Sequence, residues 1–405
     1  MVFEGVVHGN VAFMVISTVL VFVMTPGLAF FYGGLVERKN SLTIMLQIFI
    51  SIGVVTLLWI FGGFSLVFGK DIGGFIGDPT QYMNFKDIIF QVNSNYGLTI
   101  PFLMFFMYQL MFAIITLPLM TGSIVNRITI GAWLKYLVIW MIVVYFPVAH
   151  WIWGDGFLAK MGFVDFAGGT VIHVSAAFSG LGALWVLGKR KVITDKGPFN
   201  MGLVSIGAGI LLFGWFGFNA GGTLAAAGTA AIVFTNTGVA CAGGMIVWSI
   251  LSYSEKKHFS FLDPLIGAVA GLATITPASG YVTPMSALLI GSLAGIVCFY
   301  AIKIPRKMQW DDALDVWGVH GVGGFLGTVL IGLLANGMVN GVQASSHQLL
   351  IQIFGASLVG VYSIVVSFII MKILDKTSNI RVTKEQLEQG LDKSLLNEEY
   401  NSDFR

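Results

Sequence analysis

Eleven apolar runs separated by short polar gaps dictate the architecture open to this chain. They lie near residues 9–35, 42–68, 98–121, 129–149, 166–188, 199–219, 228–252, 262–278, 285–302, 313–335 and 347–372. Most run about 18–25 residues, enough for an α-helix to cross a hydrocarbon layer ~30 Å thick. The expected fold is all-α: a polytopic membrane protein with 11 transmembrane helices, held in a lipid bilayer. Composition excludes the main alternatives. Of 405 residues, 56% are hydrophobic and 10% charged, where a soluble domain carries about 25% charged residues. That argues against an ordinary soluble enzyme, a nucleic-acid binder and a disordered chain. The first run is too long for the apolar core of a signal peptide and reads as a spanning helix. Longer gaps occur only at 69–97 and after about Asp375. The chain thus divides into a transmembrane domain, 1–375, and a tail, 376–405.

An odd number of spans puts the termini on opposite sides, and basic residues decide which is which. Alternate loops beginning with 36–41 hold twelve: Arg38, Lys39, Arg127, Lys189, Arg190, Lys191, Lys196, Lys256, Lys257, Lys303, Arg306 and Lys307. The other loops hold three: Lys70, Lys86 and Lys160. Twelve against three assigns the first set to the cytoplasm, with the N-terminus outside and the tail inside. Lys135, within the fourth run, is expected to snorkel.

Spans 1–5 and 6–10 form two sets of five in opposite orientations. This is the plan of a 5+5 inverted repeat, with the eleventh helix as an extra. The fifth run opens with Asp165 and carries His173; the tenth opens with Asp315, after Asp311 and Asp312, and carries His320. An Asp near a helix start is equally accounted for as a cap or a dipole partner. Close packing is suggested by three GxxxG pairs, Gly267 with Gly271, Gly291 with Gly295 and Gly323 with Gly327. In a chain with 51 glycines such pairs also arise by chance.

Ionisable residues inside spans are costly and therefore suspect. His173 sits roughly 12 Å into a helix entering from outside, and His320 roughly 10 Å into one entering from inside, at ~1.5 Å per residue. Both reach toward the middle of the bilayer, where the pair could share one proton. Two separate histidines, each bonded to a backbone carbonyl, would explain the positions equally well. Cys241 and Cys298 lie in apolar runs and read as small core residues. No HExxH, CxxC or phosphate-loop pattern is present, so neither catalysis nor a metal or other cofactor is expected. Ser179-Gly180 is a two-residue likeness to an intramembrane protease turn and carries no weight. Trp151 and Trp153, after His150, suit either an interfacial aromatic belt or a cation–π vestibule. Phe112 and Phe218 read on position alone as core aromatics.

Five motifs narrow the choice. Thr25-Pro26-Gly27-Leu28-Ala29-Phe30-Phe31-Tyr32-Gly33-Gly34 resembles the first-helix signature of the Amt/Mep/Rh ammonium transporter family. Asp165-Phe166-Ala167-Gly168-Gly169-Thr170-Val171-Ile172-His173 resembles the fifth, and Gly214-Trp215-Phe216-Gly217-Phe218-Asn219-Ala220-Gly221 the sixth. Thr276-Pro277-Ala278-Ser279-Gly280-Tyr281 resembles the end of the eighth. Asp311-Asp312 through Asp315 to Gly318-Val319-His320-Gly321 resembles the tenth. They follow the family's order from about residue 10 to 375 and look like the Amt branch. The resemblance implies a homotrimer in the cell membrane with one ammonium or ammonia path per subunit. It places Phe112 and Phe218 at a stacked gate and Trp153 in an outer vestibule. His173 and His320 become paired pore histidines, and Asp165 a buried carboxylate that orders the vestibule.

Three departures stand out, one of them the Asn126-Arg127-Ile128 triplet, which lacks the acidic residue often found before that Arg. The family's recruitment site often has a serine where this chain has Gly222, which implies weaker external affinity or a vestibule rearranged around water. The tail keeps Arg381-Val382, Glu385 and Gly390-Leu391-Asp392 but lacks the usual His-Gly pair before its acidic end. The resemblance makes a trimeric PII protein the cytoplasmic partner, docking on loops that include 189–198. The expected mechanism has Trp153, Phe112 and the Gly222 region recruit ammonium. The cation then loses its proton, and ammonia passes Phe112 and Phe218 to His173 and His320. A sensor that binds ammonium and signals through a separate cytoplasmic protein is the first alternative. A facilitator for water or urea is the second, and the absence of Asn-Pro-Ala motifs counts against it.

Overall fold

Ten helices among the described residues are long and apolar enough to cross a membrane. The structure, a computed structural model, describes residues 5–88, 90, 92–191 and 197–400. Lys196, in the loop expected to meet a cytoplasmic partner, lies outside the described residues. The spanning helices are α1 (His8–Leu35), α2 (Arg38–Phe68), α3 (Phe102–Ile124), α4 (Ile130–Lys160), α5 (Gly169–Leu187), α6 (Met201–Thr223), α7 (Gly228–Lys256), α9 (Pro284–Lys307), α10 (Trp317–Leu334) and α11 (Ser346–Thr377). Between α7 and α9 lies α8 (Leu262–Ile275), apolar but only 14 residues long. Every apolar run of the sequence is thus a helix, and the eighth is the short one. The chain is a helical multi-pass membrane protein.

The long gap after α2 opens with a small antiparallel hairpin, β1 (Asp71–Ile72) and β2 (Ile76–Gly77). His150 of α4 pins it from beneath. That imidazole is fully buried, with Nε2 3.0 Å from Asp71 Oδ1 and Nδ1 2.7 Å from the Val67 carbonyl. Lys160 donates to the other Asp71 oxygen at 2.6 Å. Its bond and that from His150 hold the Asp71 carboxyl down at about 2. Trp151 donates to the Phe75 carbonyl at 2.9 Å and packs on Tyr362. His150 and Trp151 therefore anchor the hairpin.

Small residues set the helix spacing. A Cβ at Gly27 would lie 2.7 Å from Ile210, and one at Gly207 would meet the α1 backbone, so α1 and α6 touch closely. The GxxxG pairs serve the same end. Gly267 and Gly271 face Gly244 of α7, Gly291 faces Ala240, and Gly327 lies on the Thr274 carbonyl. Backbones that approach this closely gain dispersion contacts that larger side chains would prevent.

Four spans contain a π-helical turn, at Trp59–Gly63, Met141–Tyr145, Gly169–Val174 and Trp317–Gly321. Such turns interrupt the i→i−4 ladder and recur at functional sites. Two of them carry His173 and His320. The tail folds back against the end of the bundle that bears Arg127. Thr129 donates to the Ile380 carbonyl and Val382 to that of Arg127. Farther on, α12 (Lys384–Gln389) is closed by a capping box on Thr383. Asp392 then accepts from the backbone N–H groups of Leu42 and Thr43 and from the Thr43 hydroxyl, at 2.8–3.0 Å.

Candidate functional site

A column of aromatic rings runs through the bundle. The Trp153 indole donates to the Asp165 carbonyl at 2.8 Å, which fixes its plane. The Phe112 ring meets it edge-on, with centroids 6.0 Å apart. Phe218 lies 4.5 Å from Phe112, and both are almost fully buried. The His173 ring follows, stacked 6.2 Å from Phe218, and His320 stacks 5.1 Å from His173. The five residues singled out on sequence as vestibule, gate and histidine pair are therefore consecutive neighbours.

Backbone contacts hold this column. Tyr108 packs edge-on against Phe112 and donates its hydroxyl to the Phe218 carbonyl at 2.8 Å, tying α3 to α6. Trp215 stacks beside His173 at 5.6 Å, and its indole donates to Thr276 Oγ1 at 2.9 Å. That wall residue lies in a motif quoted above, where sequence reasoning gave it no role. A narrow cavity beside the histidines is lined by apolar groups such as Leu28, Ile115, Leu119 and Val269, with Tyr32 and Trp215.

His173 is seated by Asp165. The carboxylate accepts four backbone N–H groups, from Gly168, Gly169, Thr170 and Val171, at 2.7–3.0 Å. Those are the donors at the open N-terminal end of the π turn that carries His173. Gly168 makes the bend with φ +106°. At Gly324 a Cβ would lie 2.9 Å from the His173 Cβ, so the glycine lets α10 reach the imidazole. The second histidine has a matching device. Asp312, eight residues before His320 as Asp165 is eight before His173, accepts from the Trp317 N–H at 2.8 Å. The sequence reading paired Asp165 with Asp315, which opens the apolar run. The equal spacing was the signal pointing to Asp312. Asp315 instead bonds Arg306 at 3.0 Å, in a wider cavity that reaches His320. Burial and the nearby Asp312 push its carboxyl up, against the pull of Arg306, to about 6.

The histidine pair differs from its surroundings. Both nitrogens of His173 and Nδ1 of His320 are buried without a hydrogen-bond partner among the described residues. A buried polar atom left unpaired costs about 1–3 kcal/mol. The separate, carbonyl-bonded alternative is thus not what these residues adopt. No group of three or more His, Cys, Asp or Glu placed to hold a metal occurs among the described residues. Gly222 lies against Phe166, where a Cβ would be 3.0 Å from the ring and 3.4 Å from the Phe166 carbonyl. Trp153 and Gly222 therefore meet at the same dipeptide, Asp165-Phe166, with no hydroxyl at position 222. An apolar cavity of this kind penalises a charge heavily and a neutral hydrogen-bonding molecule much less.

Comparison with known proteins gives a consistent picture. The family model described as Ammonium Transporter Family matches residues 12–400. An ammonium transporter of Aquifex aeolicus is 43% identical over 393 residues, spanning 96% of this chain and 92% of the relative. The ammonium transporter Amt1 of Archaeoglobus fulgidus is 41% identical, spanning 95% and 97%. Among solved structures, Candida albicans Mep2 superposes with a TM-score of 0.87 at 32% identity, covering 95% of this chain and 88% of that one. A structure titled Sensor Amt Protein does so with a TM-score of 0.86 at 29% identity, covering 95% and 97%.

Proposed function

This chain belongs to the ammonium transporter family, and from that premise we propose that it carries ammonium nitrogen across the cell membrane through the His173–His320 lumen. The observation that carries the reading is the stacked imidazole pair, unpartnered at three nitrogens inside apolar walls. Unpaired donors and acceptors at that depth are useful to a polar molecule moving past them. Ammonium is too costly to bring into such a lumen as a cation. Trp153 and Phe112 hold it at the mouth by cation–π contact worth about 0.5–2 kcal/mol, with the carbonyls near Gly222 completing the recruitment site. The cation loses its proton near the Phe112–Phe218 gate. Ammonia moves past the rings and exchanges hydrogen bonds with His173 and His320, one nitrogen of each offering a proton and the other accepting. The released proton follows through the pair. Potassium has no proton to lose and is rejected.

The assembly in this reading is a homotrimer of eleven-span subunits, five plus five inverted with one extra, N-terminus outside. Its cytoplasmic tail, 376–405, regulates transport, and a PII-type protein is the candidate partner. Support for the regulatory role comes from the tail's backbone pairing with residues 127–129 and its grip on the start of α2. Likeness to the Sensor Amt Protein and the glycine at 222 favour one second reading, in which ammonium is bound and signalled with little flux. Reconstitution in liposomes on a solid-supported membrane tests the choice. A saturating current on an ammonium pulse, with none for potassium, supports transport coupled to a proton. Binding without current and without a lumenal pH change supports the sensor.

A further inference from the structure

Helix α11 carries one fully buried amide, and that amide does something specific. Gln352 is 0% exposed. Its Oε1 accepts from the Val164 N–H at 3.0 Å, and its Nε2 donates to the Val164 carbonyl at 2.7 Å. The side chain thus pairs with one residue's backbone as a neighbouring strand would. Its orientation is forced, because the Val164 N–H can only donate and its carbonyl can only accept. The second Nε2 proton goes to the Thr328 carbonyl of α10 at 3.2 Å, and Oε1 takes a further bond from Gln348 at 3.1 Å. Gln348 also donates to the Gly162 carbonyl at 3.0 Å. Every donor and acceptor of the Gln352 amide is therefore used. On the other flank the Phe166 N–H is held by the Pro277 carbonyl at 3.0 Å.

Segment 162–166 has no regular structure of its own, so these bonds fix where it lies. It supplies two contacts to the transport path. The Asp165 carbonyl receives the Trp153 indole, and the Asp165 carboxylate caps the π turn of His173. A second strut joins the same elements. Thr328 gives its hydroxyl proton to the Gly324 carbonyl at 2.8 Å, so the 2.9 Å contact with Thr170 Oγ1 has Thr170 as donor. Helices α10 and α11 and the π turn of α5 are thereby tied together at the level of the histidine.

We propose that Gln352 is a positioning residue of the transport path, which by holding the Val164 backbone sets Asp165 and, through it, both Trp153 and His173. The role rests on the transport reading above. Through it the extra helix clamps the half of the repeat that carries the recruitment site.

The test compares the parent with Gln352→Leu and Gln352→Glu in proteoliposomes, reading ammonium-evoked current and lumenal pH against concentration. Values are normalised to the folded protein present. Leucine removes all four bonds. The expected result is a rise of about tenfold in the half-saturating ammonium concentration, with a lower maximal rate; tenfold corresponds to about 1.4 kcal/mol. Glutamate keeps the acceptor side and loses the donors at neutral pH; protonation returns one. Its half-saturating concentration, divided by the parent's at the same pH, should fall toward one between pH 8 and pH 5. A purely structural loss lowers the amount of folded protein and leaves both the normalised maximal rate and half-saturation unmoved. That outcome in the glutamate variant overturns the proposal, whether or not the leucine variant folds. A parent without ammonium-driven flux removes the transport reading and this role with it.

Discussion

His150 and His173 show how differently one side chain is used in one bundle. His150 has both ring nitrogens engaged, with the Val67 carbonyl and Asp71, and serves the hairpin. His173 has neither engaged among the described residues and lines the narrow apolar cavity. Position in an apolar run could not separate the two; only the partners do. Asp165 is the residue on which most of the site depends. Asp165→Ala strands four buried N–H groups, each worth about 1 kcal/mol or more. A drop in the detergent melting temperature and loss of ammonium flux are expected. Asp165→Asn, which keeps one acceptor oxygen, should fall between. Gly222→Ser introduces a hydroxyl beside the Phe166 carbonyl, and its Cβ requires the Phe166 ring to give way by a few tenths of an ångström. A several-fold lower half-saturating ammonium concentration is expected, since one hydrogen bond to a charged group is worth about 1.5–3 kcal/mol before that cost. An unchanged or higher value would remove position 222 from recruitment.

At the scale of elements, the helices were readable because lipid demands long apolar runs, and each run found is a helix. Their interruptions were not readable. The turn at 59–63 depends on Gly62 at φ +136°, and the first histidine turn on Gly168 at φ +106°. In a glycine-rich chain, nothing local distinguishes these from packing glycines such as Gly207. Gly168→Ala places a residue where the left-handed backbone costs about 1–2 kcal/mol, with its Cβ 2.5 Å from Ile172. Lower thermal stability and slower flux are expected together, because the strain lies in the turn that carries His173. Gln352 was overlooked although an amide one turn inside the apolar run 347–372, four residues after Gln348, was itself a signal. Its meaning lay in the irregular backbone opposite, which no periodicity reports.

At the scale of the whole molecule, the two ends of the bundle are held differently. The Trp153 end is held by α11 through Gln352. The other end is held by charges and by the tail. Arg190 chelates Asp311 at 2.7–3.1 Å, and Arg127 pairs with the same carboxylate at 2.6 Å. Burial pushes the Asp311 carboxyl up, and the two guanidinium groups outweigh it, holding it at about 2. An unfolded Asp titrates at about 3.9. A depressed carboxylate adds stability above the unfolded value and loses it as pH falls through the folded one. The melting temperature should therefore fall as pH drops from about 4 to about 2, and Asp311→Asn should lower it at pH 7 while flattening that limb. The same end receives the tail. Asp392→Ala uncaps the start of α2, a loss of about 1 kcal/mol. Faster proteolysis of residues beyond 378 is expected, with the membrane core intact.

In the proposed mechanism the imidazole pair lets nitrogen through as ammonia while excluding cations that cannot shed a proton. The most direct measurement is ammonium and potassium flux through the parent and His173→Ala in matched proteoliposomes. The account predicts that the parent passes ammonium nitrogen and no potassium, and that the variant either loses ammonium flux or admits potassium. A variant that conducts ammonium at the parent's rate and still rejects potassium would contradict it.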